Sequence, residues 1–319
     1  MAPQYLNITE QVPHILFPQR LDQAIAKLLA DYSRSQIKGW ILEGKVKVND
    51  QVTILPNKKI LGGEIIKISV MIEREHEQYW KAQNIALNIV YEDDDIIVIN
   101  KPRDMVVHSG AGNLDGTILN ALLYYYPAIA NVPRAGIVHR LDKNTTGLMI
   151  VGKTLSAQTK LVELLRTRSI IREYEAITIG IINNDGTVEQ PIARHATKRT
   201  HMTVNPLGKP AITHYSIIER FRAHTRLRLR LETGRTHQIR VHMAYMNHHL
   251  VGDQLYRSSQ QNHHSNIEVL RRFNRQALHA TTLRLHHPIT AREMELHAAL
   301  PQDMVELVNA LQEDRKNFL

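Results

Sequence analysis

The feature that most narrows the fold is a succession of short apolar runs separated by polar turns. Such runs recur at 85–90, 96–99, 137–138, 148–151, 174–179, 213–218, 227–231 and 278–285, and most have the length of a β-strand. Helical periodicity is confined to 117–125, 157–166, 238–246 and 301–315. Strands that follow strands, with helices scattered among them, predict an α+β fold around a mixed, mostly antiparallel sheet. At 319 residues the chain is long enough for two domains, and 18–80 reads as the smaller. There the apolar positions 21, 24, 25, 28 and 29 form a helical stripe, and a second helix over 33–43 can be capped by Ser33. Residues 45–50 and 64–68 alternate as short strands, completing a small N-terminal α/β module. The stretch 71–84, rich in Glu, Lys, Gln and His, reads as a linker, 85–319 as the larger domain, and 256–275 as a polar loop with a weak helix.

Composition removes several classes of function. Without cysteine there is no disulfide framework, iron–sulfur cluster, cysteine-rich zinc site or thiol nucleophile. No run approaches the roughly 20 apolar residues that span a bilayer, and no secretory signal opens the chain, so a cytoplasmic protein without membrane contact is expected. The 18 histidines include no HExxH spacing, and neither a metal nor a cofactor is expected. The net charge of +9 points to a polyanionic partner, nucleic acid ahead of an anionic membrane. This excess is local: between 194 and 240 stand eleven basic and two acidic residues, as large a surplus as the whole chain's. Within that window Arg226, Arg228 and Arg230 alternate with leucines, placing the charges on one face of a strand. Such a face either grips phosphates or is an ordinary solvated exterior; both readings stand.

Two stretches can carry chemistry. In 136–151, apolar strands flank the polar loop His139-Arg140-Leu141-Asp142-Lys143-Asn144-Thr145-Thr146-Gly147, and loops held by a sheet are where reactive groups tend to sit. The basic neighbours of Asp142 favour its carboxylate form, which can act as a nucleophile; the same letters are also plain turn chemistry. In Thr233-Gly234-Arg235-Thr236-His237-Gln238-Ile239-Arg240, Gly234 permits a tight turn, and Arg235 would project near a helix start toward a carboxylate or phosphate. A surface turn with unpaired arginines explains it equally well.

Taken together, these strings resemble a family. Arg20-Leu21-Asp22, Ser33-Arg34-Ser35, Gly44-Lys45-Val46-Lys47-Val48-Asn49 and Gly63-Glu64 are similar to the S4 RNA-binding domain. The resemblance implies RNA contacts from Arg34, Lys38, Lys45 and Lys47. The loop around Asp142 resembles the signature of the RluA-type RNA pseudouridine synthases. Further matches follow in family order: Tyr91-Glu92-Asp93-Asp94-Asp95, Asn100-Lys101-Pro102, Val106-Val107-His108, Asp115-Gly116-Thr117, Arg172-Glu173-Tyr174, Arg194-His195 with Lys198-Arg199, the 233–240 string, and Gln276-Ala277-Leu278-His279-Ala280.

That resemblance implies the pseudouridine synthase fold and an isomerase that needs no cofactor. Asp142 would be the catalytic aspartate and Tyr174 the residue that stacks on the target uracil and serves as general base. Arg235 would be the arginine paired with the aspartate. Arg140 would stand near the space left by the flipped nucleotide, Ile239 would pack on the base, and Lys198, Arg199, Arg226, Arg228 and Arg230 would contact RNA. The implied substrate is large-subunit (23S) rRNA at the helix 69 stem-loop, free or in an assembling large ribosomal subunit, and a monomer is expected. The alternative is a non-catalytic RNA-binding ribosome-assembly factor on the same fold. The chain departs from the family pattern at Asp104, where glycine is usual, and at Ser109, Ala196 and His249, where proline is usual.

Overall fold

The computed structural model describes residues 4–14, 19–29, 34–72, 80–110, 113–256 and 266–317. The expected Ser33 cap, most of the linker, and the His263-His264 pair lie outside them. The chain divides into two compact units, 1–79 and 80–319.

The smaller unit contains β1 (Gln4–Gln11), β2 (Gln19–Arg20), α1 (Leu21–Leu28), α2 (Arg34–Leu42), β3 (Val46–Val48), β4 (Gln51–Val52), β5 (Lys59–Ile60) and β6 (Ile65–Ile72). Its sheet runs in the order β1-β6-β3-β4, all antiparallel. The stripe on α1 buries Leu21, Ala24 and Ile25 against Ile37 and Ile41 of α2 and the sheet residues Val46, Ile66 and Ile68. β1 was not legible because, among its described side chains, only Leu6 and Ile8 pack on this core; its strand form comes from the long-range ladder with β6. Asp22 is buried at the start of α1, where it accepts hydrogen bonds from Arg20 (Nε, 3.0 Å) and Arg34 (Nε 2.9 Å, Nη2 2.7 Å). Burial works to raise its pKa, but the two guanidinium groups outweigh it and hold the carboxyl below its usual range. Arg34 is thus committed to an internal ion pair, while Lys38, Lys45 and Lys47 are exposed.

The larger unit contains β7 (Ile89–Glu92), β8 (Ile96–Lys101), α3 (Ile118–Tyr125), β9 (Thr146–Gly152), α4 (Leu155–Arg166), β10 (Ile171–Ile179), β11 (Gly186–Glu189), β12 (Ile192–Arg194), β13 (Met202–Val204) and β14 (Ile212–Arg220). β15 (His224–Leu231), α5 (Gln238–Tyr245), α6 (Glu268–Arg272), β16 (Leu278–His286), β17 (Glu293–His297) and α7 (Gln302–Lys316) complete it. The main sheet has the order β11-β14-β15-β10-β16-β9-β8-β7, with β17 also paired to β16. Only the β16–β9 pairing is parallel, so the sheet is mixed and mostly antiparallel. Three expectations shift. Residues 85–88 form no ladder, and the 137–138 run forms only an isolated bridge, Ile137 to Val151. Residues 80–84, read as linker, belong to the larger unit: Trp80 packs on its core and the Gln83 N–H donates to the Asn120 carbonyl at 3.1 Å.

The register of the central strands decides which residues share a side of the sheet. Tyr174 lies opposite Leu229, Glu175 opposite Arg228 and Glu173 opposite Arg230. Because side chains alternate along a strand and facing residues share a side, Tyr174 stands with Leu227, Leu229 and Leu231. Arg226, Arg228 and Arg230 stand on the reverse side with Glu173 and Glu175. There Arg226 Nε bonds Glu175 at 2.8 Å and Arg284 Nη2 bonds Glu173 at 2.8 Å. Alternation thus turns this basic face away from Tyr174; Arg226 is held there by Glu175, while Arg228 and Arg230 are exposed. Exchanging Arg228 and Arg230 for glutamine should leave the slope of log K against log salt for RNA binding unchanged. A lost phosphate contact would reduce that slope by about 0.7 to 0.9 per charge.

Candidate active site

The loop that carries Asp142 leads into β9 and is held from below by two buried cations. Lys101 Nζ donates to the carbonyls of Pro102 (2.7 Å), Met105 (2.9 Å) and Lys143 (2.9 Å). Arg275, also fully buried, donates to the Asn144 carbonyl at 3.2 Å and is itself held by Asp303 at 2.6 Å. Burial pushes the Lys101 ammonium down to about 7, against the opposing pull of the Asp142 charge. The Thr145 N–H closes the turn on the Asp142 carbonyl at 3.0 Å, and Gln276 Nε2 donates to Thr145 Oγ1 at 3.0 Å. Gly147 follows with φ of +114°, where a Cβ would stand 2.3 Å from the Ala280 carbonyl oxygen; only glycine lets β9 approach β16 there. Asp104 fills the family's glycine position with φ of 62°, a left-handed conformation aspartate tolerates better than most residues.

Above this scaffold opens a cleft of about 550 Å³, lined among others by Arg140, Asp142, Arg172, Tyr174, Ile239 and Arg240. Asp142 Oδ2 accepts a 3.0 Å hydrogen bond from Arg240 Nη1. Arg240 is itself buried and forked onto Asp253, with Nε to Oδ2 at 2.7 Å and Nη2 to Oδ1 at 2.9 Å. Burial opposes the Arg240 charge, yet the hydrogen bonds and charge of Asp253, aided by Asp142, raise its pKa above the ordinary arginine value. For Asp253 burial raises, but Arg240 and the backbone N–H groups of Leu255 and Tyr256 lower, and the balance is a depressed pKa. The result is a fixed positive centre facing Asp142.

Arg235, the expected partner, does not reach the aspartate. Its Nε donates to the Pro210 carbonyl at 3.0 Å, and its backbone N–H bonds Gln238 Oε1 at 3.0 Å. The correction has a local cause. Residue 237 is left-handed (φ 57°) and α5 begins at Gln238, so Arg240 lies in the first helical turn while Arg235 precedes the helix. Nor does Gly234 take a left-handed turn; a Cβ there would meet Arg172 Nη1 at 3.0 Å.

Tyr174 and Ile239 are both buried in the cleft wall. Burial, with the Asp142 charge adding and Arg172 opposing, raises the Tyr174 pKa, so the side chain enters as a neutral phenol. Arg140 is exposed at the rim and forms no ion pair among the described residues. Two further groups, His237 and Tyr256, have no role assigned from the sequence. His237 Nε2 lies 3.9 Å from Asp142 Oδ1, and its Nδ1 is 2.7 Å from the Tyr256 hydroxyl. That hydroxyl accepts from the Met202 N–H at 2.8 Å, which ties the hairpin of β12 and β13, with exposed Lys198 and Arg199 at its tip, to the Arg240 cluster.

His139 shows how the loop depends on pH. Its Nε2 accepts the Ile150 N–H at 3.0 Å, which requires a neutral ring, and burial pushes its pKa down to about 3. The unfolded chain takes up this proton near pH 6.5. Between about pH 6.5 and 3 the unfolded state therefore binds more protons, and stability, complete above that window, declines as pH falls through it. In His139→Gln, whose amide oxygen can replace Nε2 as acceptor, the slope of unfolding free energy against pH over this window should decrease by about one proton. Denaturant titrations at several pH values measure it.

A buried arginine that fixes a carboxylate beside a tyrosine, in a cleft and without any cysteine, is the arrangement expected of the family named by the sequence. The description "RNA pseudouridylate synthase" matches residues 95–245 and "S4 domain" matches 19–66. The chain belongs to the RluA-type RNA pseudouridine synthases and carries an S4 domain. It is 61% identical over 319 residues to the ribosomal large subunit pseudouridine synthase D of Yersinia pestis, covering 99% of this chain and 98% of that one. Against the protein of the same name from Haemophilus influenzae the identity is 62% over 313 residues, with 97% and 96% covered. Among solved structures, human RNA pseudouridylate synthase domain containing 4 aligns with a TM-score of 0.57 at 25% identity, covering 70% of this chain and 93% of its own. Human RNA pseudouridylate synthase domain containing 1 aligns with a TM-score of 0.54 at 26% identity, covering 72% and 96%. No helix among the described residues is long and apolar enough to cross a membrane.

Proposed function

We propose that this enzyme converts uridines of large-subunit (23S) rRNA to pseudouridine, at the helix 69 stem-loop, in the cytoplasm, with Asp142 as the catalytic carboxylate. The observation that carries the reading is the state of Asp142. Arg240 occupies one carboxylate oxygen, and Oδ1 accepts no hydrogen bond from a described residue in the cleft that holds Tyr174. A carboxylate that served only to close a turn would not need a buried arginine forked onto a second aspartate. The rRNA assignment rests on the identity to enzymes named for that substrate.

Isomerisation breaks the N1–C1′ bond, turns the base and joins C5 to C1′; the C5 proton leaves, N1 gains one, and no electrons are exchanged with a cofactor. Asp142 can attack C1′, add to C6 or remove the 2′ proton, and in each case the base must first leave the RNA stack, a cost of a few kcal/mol. The Tyr174 ring supports the flipped base, with its neutral phenol relaying a proton rather than starting as a phenolate, and Arg140 stands at the rim to fill the vacated space. Exposed Lys38, Lys45 and Lys47 of the S4 domain, with Lys198 and Arg199 of the larger unit, supply phosphate contacts.

The test uses a helix 69 stem-loop, alone and within a large-subunit particle, labelled with tritium at uridine C5. Release of tritium at the loop uridines is the expected result. Release from other regions of the rRNA only would remove the helix 69 assignment, and no release from either substrate would remove the rRNA assignment.

A further inference from the structure

One buried cation in the cleft has no partner among the described residues. Arg172 is only 9% exposed and lines the cleft two residues before Tyr174 on β10. Its Nε is buried without a hydrogen bond, and no ion pair reaches the guanidinium among the described residues. The cleft's acids pair with other groups: Asp142 through Oδ2 with Arg240, and Glu232 with Arg168 and His214. Alternation along β10 puts Arg172 and Tyr174 on the same side of the sheet, side by side. Gly234 opposite supplies the room, since a Cβ there would sit 3.0 Å from Arg172 Nη1. A desolvated guanidinium without a counter-charge is costly, and a fold that retains one beside its substrate platform leaves the partner to be brought in by the substrate.

Resting on the reaction proposed above, we infer that Arg172 is a further catalytic residue: it donates to a carbonyl oxygen of the flipped uracil and stabilises the negative charge that develops on the ring. When the N1–C1′ bond breaks, its electron pair stays with the base, which becomes an anion spread over N1, O2 and O4. C5 then bonds to C1′, the C5 proton is lost and N1 is protonated, so the charge on the ring is transient and balanced. A donor already stripped of water contributes most to such a state, because nothing need reorganise when the charge appears. Phosphates are a poorer match for this residue. Exposed Arg134 and Arg140 are the better placed for a backbone, whereas Arg172 is buried like Tyr174, beside which it stands on β10.

The experiment compares wild-type protein, Arg172→Gln and Arg172→Lys in single-turnover reactions on an rRNA fragment that the wild type modifies. The target carries either uridine or 5-fluorouridine, whose ring bears negative charge more readily, and loss of the N1–C1′ bond is followed. On uridine, Arg172→Gln should be slower by about 10²- to 10³-fold, with RNA affinity within about threefold of wild type, a difference under 1 kcal/mol. On 5-fluorouridine the loss should be at least about tenfold smaller, as expected when the substituent supplies what the donor gave. Should glutamine prevent folding, Arg172→Lys, which keeps the charge but loses the fork, is compared in the same way. Equal losses on both substrates, or a loss in RNA affinity with an unchanged rate, would overturn the inference, the latter pointing to a phosphate contact. If the wild type converts no uridine, the reaction itself fails; if it does and Arg172→Gln matches it, only the role of Arg172 fails.

Discussion

Asp142→Asn is expected to reduce pseudouridine formation to background, a loss on the order of 10⁴-fold or more, while RNA binding stays within a few-fold of wild type. The substitution preserves shape and one carbonyl acceptor for Arg240 Nη1, so the scaffold has little reason to move. Lys101 and Arg275 hold the loop through the backbone carbonyls of residues 143 and 144, which the change does not touch. What disappears is the anionic oxygen that faces the cleft. Single-turnover assays with saturating protein separate this from weakened binding. Turnover within about tenfold of wild type would leave the carboxylate a turn residue and favour a non-catalytic RNA-binding factor on this fold.

The second large effect separates two arginines five positions apart. Arg240→Ala should destabilise the larger unit by about 3 to 5 kcal/mol, because it strands Asp253, a buried carboxylate, without its counter-charge, and it should abolish activity along with the loss of the hydrogen bond to Asp142. The Asp253 side chain is 1% exposed, so solvent cannot replace the partner. Arg235→Ala removes one hydrogen bond to a carbonyl at the cleft edge and should cost about 1 kcal/mol or less. Because Arg240→Ala can fail to fold, Arg240→Lys completes the comparison: it keeps a positive charge but cannot grip Asp253 and Asp142 together. Its activity should fall far below that of Arg235→Ala. Thermal unfolding and single-turnover rates for the three variants measure both effects, and Arg235→Ala behaving as the damaging change would reverse the assignment.

The contrast between these residues shows what was and was not legible. Helix and strand periodicity located α1, α3, α4, α5, α7 and the central strands, because each buries one side against a core. β11, β12, β13 and β17 went unread; they are short and mostly half-exposed, and their strand form comes from partners distant in the chain. The motifs around Asp142 and Tyr174 marked side chains that the fold brings into one cleft. They could not distinguish Arg235 from Arg240, since both stand in one string and only the left-handed residue at His237 decides which one enters the helix facing the aspartate. Asp253 had no local signal at all; its value comes from contacts 13 and 111 residues away in sequence, to Arg240 and, through it, Asp142. The net charge of +9 pointed to a polyanion. Its densest strand nonetheless faces away from the cleft, because alternation assigned the leucines, not the arginines, to the side that carries Tyr174.

The central claim, that this chain isomerises uridines in large-subunit rRNA through Asp142, meets its most direct test in a map of pseudouridines. Large-subunit rRNA lacking the modification would be incubated with the pure wild-type protein and with Asp142→Asn, and every pseudouridine located by sequencing after chemical marking. The account predicts a small set of new pseudouridines within helix 69 for the wild type and none for the variant. An rRNA that emerges unmodified from the wild-type reaction, or an identical map from both proteins, would contradict it.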